Sequence, residues 1–92
     1  MYSMNTLIID TREDFEYAMS HVEGSINIPP AQFMSAQLPE PLASAPKDTP
    51  IIVYCRSGSR ANTVHQILMM HGFSNVTNGI NEGRVKQLLK RS

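Results

Sequence analysis

Cysteine is almost absent from this chain, since Cys55 is the only one among 92 residues. A single cysteine excludes a disulfide within the chain and a zinc site built from several thiolates. An excess of either charge is absent too, because eight basic residues balance eight acidic ones. The net charge therefore gives no reason to expect nucleic acid or an anionic membrane surface as a partner.

Long apolar runs are also missing. No stretch approaches the roughly 18–20 residues of a membrane-spanning helix. Residues 1–6 have neither the basic start nor the apolar segment of a signal peptide. We therefore expect one cytoplasmic domain over residues 1–92, or a periplasmic one if the chain is a processed form of an exported precursor.

Short apolar runs alternate with segments of helical character. The expected strands cover residues 7–9, 25–28, 51–54 and 75–77. A first helix is expected to begin after Asp10 or Thr11, and two further helices are expected over 59–71 and 81–90. The proline-rich segment 31–50 is expected to be irregular, with short helical stretches near 32–37. This order predicts an α/β domain of three layers, with a small, mainly parallel sheet flanked by helices.

The spacing of apolar residues predicts which side of two helices is buried. The first helix carries Phe15, Ala18 and Met19 at i, i+3 and i+4 spacing, which predicts an apolar face. The helix over 59–71 carries a stripe of Ala61, Val64, Ile67 and Leu68. Both faces are expected to pack on the sheet.

Cys55 stands between the apolar run 51–54 and the polar loop 56–60, just before a predicted helix. Ligands of parallel sheets bind at the carboxyl ends of the strands, which is where this position lies. Backbone N–H groups at a helix N-terminus, together with Arg56 and Arg60, would lower the pKa of the thiol. A buried structural cysteine is the alternative, but it leaves both arginines and Gly58 unexplained.

Four segments together carry a family resemblance. They are Asp10-Thr11-Arg12, the run HVEGSINI from His21, the run CRSGSR from Cys55 and the run GFSNV from Gly72. In order and spacing they resemble the rhodanese (thiosulfate sulfurtransferase) family, and the compact length resembles its small phage-shock type. That type is usually exported. The chain departs from the family at residues 78–83, where a Gly-Gly pair is usual and Asn78-Gly79-Ile80 stands instead.

The resemblance implies transfer of sulfane sulfur. The Cys55 thiolate would take the outer sulfur of thiosulfate and pass it from a persulfide to cyanide or a thiol. The loop residues Arg56, Ser57, Gly58, Ser59 and Arg60 would bind the small anionic donor. No metal or organic cofactor is implied. Four residues separate Cys55 from Arg60, whereas similar cysteine phosphatases have five, so the loop fits a single sulfur better than a phosphate.

Three residues outside the loop are expected to support the site. We expect Asp10 and Arg12 to supply a helix cap and an ion pair near the loop, and His21 to be a hydrogen-bonded structural residue. Arg56 is expected to be exposed at the mouth of the site. For Arg60 two roles stay open, an ion pair with Asp10 that ties down the loop and orientation of the donor.

Other functions remain possible from the sequence. The domain could be a persulfide carrier that delivers sulfur to an acceptor protein, and an exposed Tyr54 or Phe33 would then mark the docking surface. A non-catalytic regulatory module is disfavoured by the intact Cys55, Arg56 and Arg60. A phosphatase or arsenate reductase is disfavoured by the length of the loop.

Overall fold

The computed structural model describes residues 5–90, so the first four and the last two residues of the predicted domain lie outside the described residues. Four strands alternate with three α-helices and one 3-10 turn. In chain order they are β1 (Leu7–Asp10), α1 (Asp14–Met19), β2 (Ile26–Asn27), the 3-10 turn (Pro30–Phe33), β3 (Ile51–Cys55), α2 (Ser59–Met70), β4 (Val76–Asn81) and α3 (Glu82–Lys90). No helix within 5–90 has the length and apolar character needed to cross a membrane.

The four strands form one parallel sheet in the order β2-β1-β3-β4. β3 lies between β1 and β4, and all five of its residues are buried. A strand that is covered on both faces reads as a continuous apolar run, which is why residues 51–54 gave such a clear signal. The predicted α/β class with a parallel sheet is confirmed.

Side chains of β3 point alternately into two separate cores. Ile51, Val53 and Cys55 pack with Ala61, Val64 and Leu68 of α2 on one face. Ile52 and Tyr54 pack with Val22 and Val85 on the other face. The sheet is therefore the middle of three layers, as predicted.

The irregular connection between the 3-10 turn and β3 contributes to the first core. Leu38 and Leu42 are buried there, next to Phe33 of the 3-10 turn, and all three belong to the same core as the buried residues of α2. Phe33 is 4% exposed and Tyr54 is fully buried. Neither can form the docking surface considered from the sequence, and that prediction is wrong.

The first helix differs from its prediction in both its start and its buried side. Its N-cap is Glu13 rather than Asp10 or Thr11, and the Glu13 N–H donates to the Glu16 carboxylate at 2.9 Å. Phe15 and Met19 are 65% and 84% exposed, and Ala18 is exposed as well. The partly buried side of α1 carries Glu16 and Tyr17 instead, because polar partners on neighbouring elements satisfy both side chains.

The last strand is longer than predicted and contains a β-bulge. Val53 pairs with Asn78 and Tyr54 pairs with Ile80, so Gly79 is the extra residue. A Cβ at Gly79 would lie 2.5 Å from Val85 Cγ2 and 2.9 Å from Ile52 Cγ2. Asn78-Gly79 is therefore not a turn after the strand but part of it, packed tightly under α3.

Candidate active site

Cys55 is the last residue of β3, at the carboxyl edge of the sheet. Its Sγ accepts the Gly58 N–H at 3.1 Å and the Ala61 N–H at 3.4 Å. The residue is only 1% exposed. The sulfur therefore lies at the bottom of a loop of backbone donors, directly before the N-terminus of α2.

The loop can close this tightly because Gly58 takes a left-handed conformation. Its φ is 95°, which lies in a region of backbone conformation that residues other than glycine rarely adopt. Gly58 is the N-cap of α2, and its carbonyl accepts the Asn62 N–H at 2.8 Å. Ser57 and Ser59 are exposed, with their Oγ atoms 3.3 Å apart.

Two opposing effects act on the pKa of the Cys55 thiol. Burial raises it, because a buried thiolate loses its hydration. The backbone N–H groups of Ala61, Gly58, Ser57 and Arg60 lower it by hydrogen bonding to the anion, and together they outweigh burial, so the pKa is lowered. The predicted lowering of the Cys55 pKa thus comes from backbone donors, which act like those of an anion-binding nest.

Arg60 does not pair with Asp10. Its guanidinium donates to both carboxylate oxygens of Glu16, at 2.8 and 3.2 Å, and so ties α2 to α1. The hydrogen bonds from Arg60 hold the pKa of Glu16 at about 2. The predicted Arg60–Asp10 pair is wrong because Asp10 already has other partners. Glu16 was missed, since no sequence pattern shows which carboxylate will face Arg60.

The partners of Asp10 form a buried network on the opposite face of the sheet. Asp10 pairs with Arg12, whose Nη2 lies 2.7 Å from Asp10 Oδ2, and the Tyr54 hydroxyl donates to the same oxygen at 2.7 Å. Arg12 also donates to the Ser20 carbonyl at 2.6 Å, and the Val22 N–H donates to the Tyr54 hydroxyl at 3.0 Å. Arg12 thus forms an ion pair, and its partner is Asp10, whereas the predicted helix cap at Asp10 is wrong because Glu13 is the N-cap of α1.

An open cleft of about 280 Å³ leads to Cys55. Its lining residues come from the ends of three strands and the start of α3: Arg12, Cys55, Arg56, Asn81, Glu82 and Gly83. Arg56 is exposed, as expected, and no carboxylate among the described residues forms an ion pair with it. A second cavity adjoins the cleft and shares Arg12 and Arg56 with it. The mouth of the site therefore carries a cation that is free to meet an anionic ligand.

The family follows from comparison with known proteins. The sequence model of the rhodanese-like domain family matches residues 2–83. The chain belongs to the rhodanese-like family. This confirms the resemblance found in the sequence.

Curated relatives of this rhodanese-like domain are named for more than one activity. A thiosulfate:glutathione sulfurtransferase of Saccharomyces cerevisiae is 32% identical over 84 residues, which cover 79% of this chain and 58% of the yeast protein. A tRNA uridine(34) hydroxylase of Pectobacterium carotovorum is 35% identical over 75 residues, covering 78% of this chain and 21% of that protein. The chain thus spans little more than half of one relative and about a fifth of the other.

Solved structures share the fold. A rhodanese with anions from E. coli superposes with a TM-score of 0.73 at 30% identity, covering 86% of this chain and 89% of that one. A human single-domain sulfurtransferase superposes with a TM-score of 0.68 at 24% identity, covering 96% and 84% of the two chains. At 24% identity, the comparison with the human protein shows a shared fold and nothing further.

The remaining predicted residue of the rhodanese-like domain, His21, lies away from the cleft. It is exposed, its Nδ1 is 2.8 Å from the Tyr17 carbonyl oxygen, and its ring stacks on Tyr17 with centroids 3.7 Å apart. It is not among the residues that line the cleft. Within residues 5–90, no group of three or more His, Cys, Asp or Glu side chains is arranged to hold a metal ion.

Several residues of the site had no signal in the sequence. Asn81, Glu82 and Gly83 line the cleft because β4 runs beside β3 and ends level with Cys55. The sequence showed only that this segment departs from the family pattern. Its place next to the sulfur is a property of the sheet order.

Proposed function

We propose that this rhodanese-like domain transfers sulfane sulfur from thiosulfate to a thiophilic acceptor, cyanide or a thiol, through a persulfide on Cys55. The observation that carries the proposal is the position of Sγ, which accepts backbone N–H groups at the bottom of a cleft whose mouth holds the free cation of Arg56. Because the pKa of the Cys55 thiol is lowered, more of it is present as the nucleophilic thiolate. The cation of Arg56 attracts the thiosulfate dianion.

The reaction is a double displacement. In the first step the Cys55 thiolate attacks the outer sulfur of thiosulfate, a new Sγ–S bond forms, and the S–S bond of the donor breaks with its electron pair leaving on sulfite. In the second step the acceptor attacks the outer sulfur of the persulfide. The Sγ–S bond then breaks, and its electron pair restores the thiolate. No oxidant or cofactor is consumed.

The loop residues have different roles in binding the donor. The N–H groups of residues 57, 58, 60 and 61 stabilise the negative charge on sulfur before and after transfer. Arg56 attracts and orients the sulfonate end of the donor from the mouth of the cleft. Arg60 braces the loop through Glu16, and we assign it no direct contact with the donor. We assign Asp10 and Arg12 a supporting role through their buried ion pair, and His21 one only through its contacts with Tyr17.

The names of two similar proteins support the choice of substrates. The yeast relative is named for thiosulfate and glutathione, and the E. coli structure is a rhodanese with anions. The loop length adds support, since four residues between Cys55 and Arg60 make a ring sized for one sulfur atom.

The decisive experiment is thiocyanate formation from thiosulfate and cyanide, with the wild type beside Cys55→Ala. Only the wild type should turn over, and its mass after thiosulfate treatment should rise by one sulfur atom on Cys55. Equal rates for the two proteins would refute the mechanism. An unmodified Cys55 in an otherwise folded domain would favour the regulatory module.

Arg56→Ala tests the orientation of the donor. Loss of one charge-assisted contact should raise the KM for thiosulfate by about tenfold and change kcat much less. Arg84→Ala is the matched control, because Arg84 is an exposed arginine of α3 that does not line the cleft. The same change in KM for both variants would show a general charge effect and remove the role of Arg56.

A second candidate is delivery of the persulfide sulfur to a partner protein. Met19 favours it, because this residue is 84% exposed and lines the cavity that adjoins the cleft. Met19→Ser should then leave transfer to cyanide unchanged, since it adds no charge beside Arg56, and slow transfer to a protein thiol. Unchanged transfer to both acceptors would remove this candidate.

A further inference from the structure

The end of β4 holds a residue in an unfavourable backbone conformation. Ile80 has φ 74°, and within residues 5–90 it is the only non-glycine residue with a positive φ. A β-branched side chain in this region is a genuine outlier, and such strain persists only where the surroundings enforce it. Strained residues of this kind are concentrated at functional sites, so the neighbours of Ile80 matter.

Ile80 packs against the loop that surrounds Cys55. A Cβ placed on Gly58 would be 3.5 Å from Ile80 Cγ2 and 3.7 Å from Ile80 Cα, so the two residues are in close contact. Gly58 is also left-handed, and its N–H lies 3.1 Å from Sγ, nearer than the Ala61 N–H at 3.4 Å. The strained residue of β4 therefore faces the glycine that places a donor on the sulfur.

One side chain joins the two residues. Asn78 Nδ2 donates to the Gly58 carbonyl at 3.0 Å, and Asn78 Oδ1 accepts the Ile80 N–H at 2.9 Å. The Gly58 carbonyl already accepts the Asn62 N–H at 2.8 Å within α2. The bond from Asn78 is thus not needed to satisfy that oxygen, and what it adds is the orientation of the Gly58 backbone.

The bulge cannot relax toward the opposite face of the sheet. Gly79 lies against Val85 and Ile52, with no room for even a Cβ. This packing fixes the bulge, and the bulge directs both Asn78 and Ile80 toward Gly58.

We propose that Asn78 and Ile80 are positioning residues, which hold Gly58 in its left-handed conformation so that its N–H stays directed at Cys55 Sγ. The strain at Ile80 is retained because it presses the side chain onto the loop. This inference deepens the proposed function and rests on Cys55 acting as a thiolate.

The test measures the pKa of Cys55 in Ile80→Gly and Asn78→Ala from the ultraviolet absorbance of the thiolate. Cys55 is the only cysteine, so all of the thiolate absorbance comes from it, and a parallel titration of Cys55→Ala subtracts the absorbance of ionised tyrosines. Each variant should raise the pKa by about one unit, which is a tenfold loss of thiolate at a pH well below the pKa. The double variant should shift it by less than the two single shifts combined, because both residues act through Gly58.

Thr77→Ala is the control, since Thr77 belongs to the same strand and pairs with Ile52. It should leave the pKa of Cys55 unchanged. The charged groups near the sulfur, Arg12, Arg56, Arg60 and Glu82, are the same in all of these variants. Ile80→Gly also removes the strain, so this variant is expected to fold.

A lowered melting temperature with an unchanged Cys55 pKa in both variants would show that Asn78 and Ile80 stabilise the fold only, and would overturn the proposal. The absorbance needs no sulfur donor, so this result is independent of the proposed reaction. If the pKa shifts while the wild type forms no persulfide, the positioning role stands and the sulfur transfer fails.

Discussion

Removing the hydroxyl group of Tyr54 should destabilise the domain without changing the chemistry of Cys55. This hydroxyl donates to Asp10 Oδ2 at 2.7 Å and accepts the Val22 N–H at 3.0 Å, and Tyr54 is fully buried. Tyr54→Phe therefore leaves a buried N–H without its acceptor and takes one donor from a buried carboxylate. The side chain points away from α2, so the N–H groups on Sγ are not disturbed.

The size of the loss follows mainly from these two bonds, since a third contact of the hydroxyl, with Ser25 Oγ, is longer at 3.4 Å. A buried donor left without a partner costs about 1–3 kcal/mol, and a hydrogen bond to a charged acceptor contributes a similar amount. Asp10 keeps its hydrogen bonds to Arg12, which limits the free energy lost with the bond from Tyr54 to Asp10. We therefore expect the free energy of unfolding to fall by about 2–4 kcal/mol, a large share of the stability of a small domain.

Urea unfolding checks this value, with Tyr17→Phe as the matched control. The Tyr17 hydroxyl is part-buried and makes one bond, to the neutral Ser25 carbonyl at 2.7 Å, so its loss should cost about 0.5–1.5 kcal/mol. The pKa of Cys55 should be the same in both variants. A loss for Tyr54→Phe no larger than that for Tyr17→Phe would refute the reasoning.

Alkaline pH gives a second check on Tyr54. Burial raises its pKa from 10.0 to about 12. The folded state therefore holds this proton more tightly than the unfolded state, and stability should fall as the pH rises from 10 toward 12. Tyr54→Phe should make that fall shallower, and an unchanged slope would mean that Tyr54 is not the responsible group.

Two further predictions concern acid stability and packing. The folded pKa of Glu16 is lowered from 4.5 to about 2, so the Glu16–Arg60 pair should contribute fully above pH 4.5 and be lost as the pH falls toward 2. Glu16→Gln should cost about 1 kcal/mol at pH 7 and flatten the acid side of the stability curve, as measured by thermal melts; an unchanged curve would contradict the pair's role. Gly79→Ala should cost about 1–3 kcal/mol, because its Cβ would lie 2.5 Å from Val85 Cγ2. Gly83→Ala is its control, since the nearest atom is 3.6 Å away and alanine favours the helix, so this change should stabilise by about 0.5–1 kcal/mol. Equal effects of the two alanines in chemical denaturation would argue against the close packing at Gly79.

Local patterns predicted most of the elements that build the sheet. The run 51–54 and the stripe of Ala61, Val64, Ile67 and Leu68 were read correctly, with Ile67 partly buried and the other three buried, because burial there follows directly from apolar periodicity. The short helix α1 was read wrongly. Its inward side is polar, and Glu16 and Tyr17 take that side only because Arg60 and Ser25 are there to receive them.

The sequence alone determined the α/β class, the position of Cys55 at the end of a strand and the loop between it and α2. These depend on residues close together in the chain, whose apolar spacing, glycine and helix start act locally. The tertiary structure decided which groups meet at the site. Arg60 turned to Glu16 rather than Asp10, Tyr54 entered the core, and β4 brought Asn78 and Ile80 to Gly58. Such pairings join segments 20 or more residues apart, and parallel strand order, which local sequence does not encode, sets them.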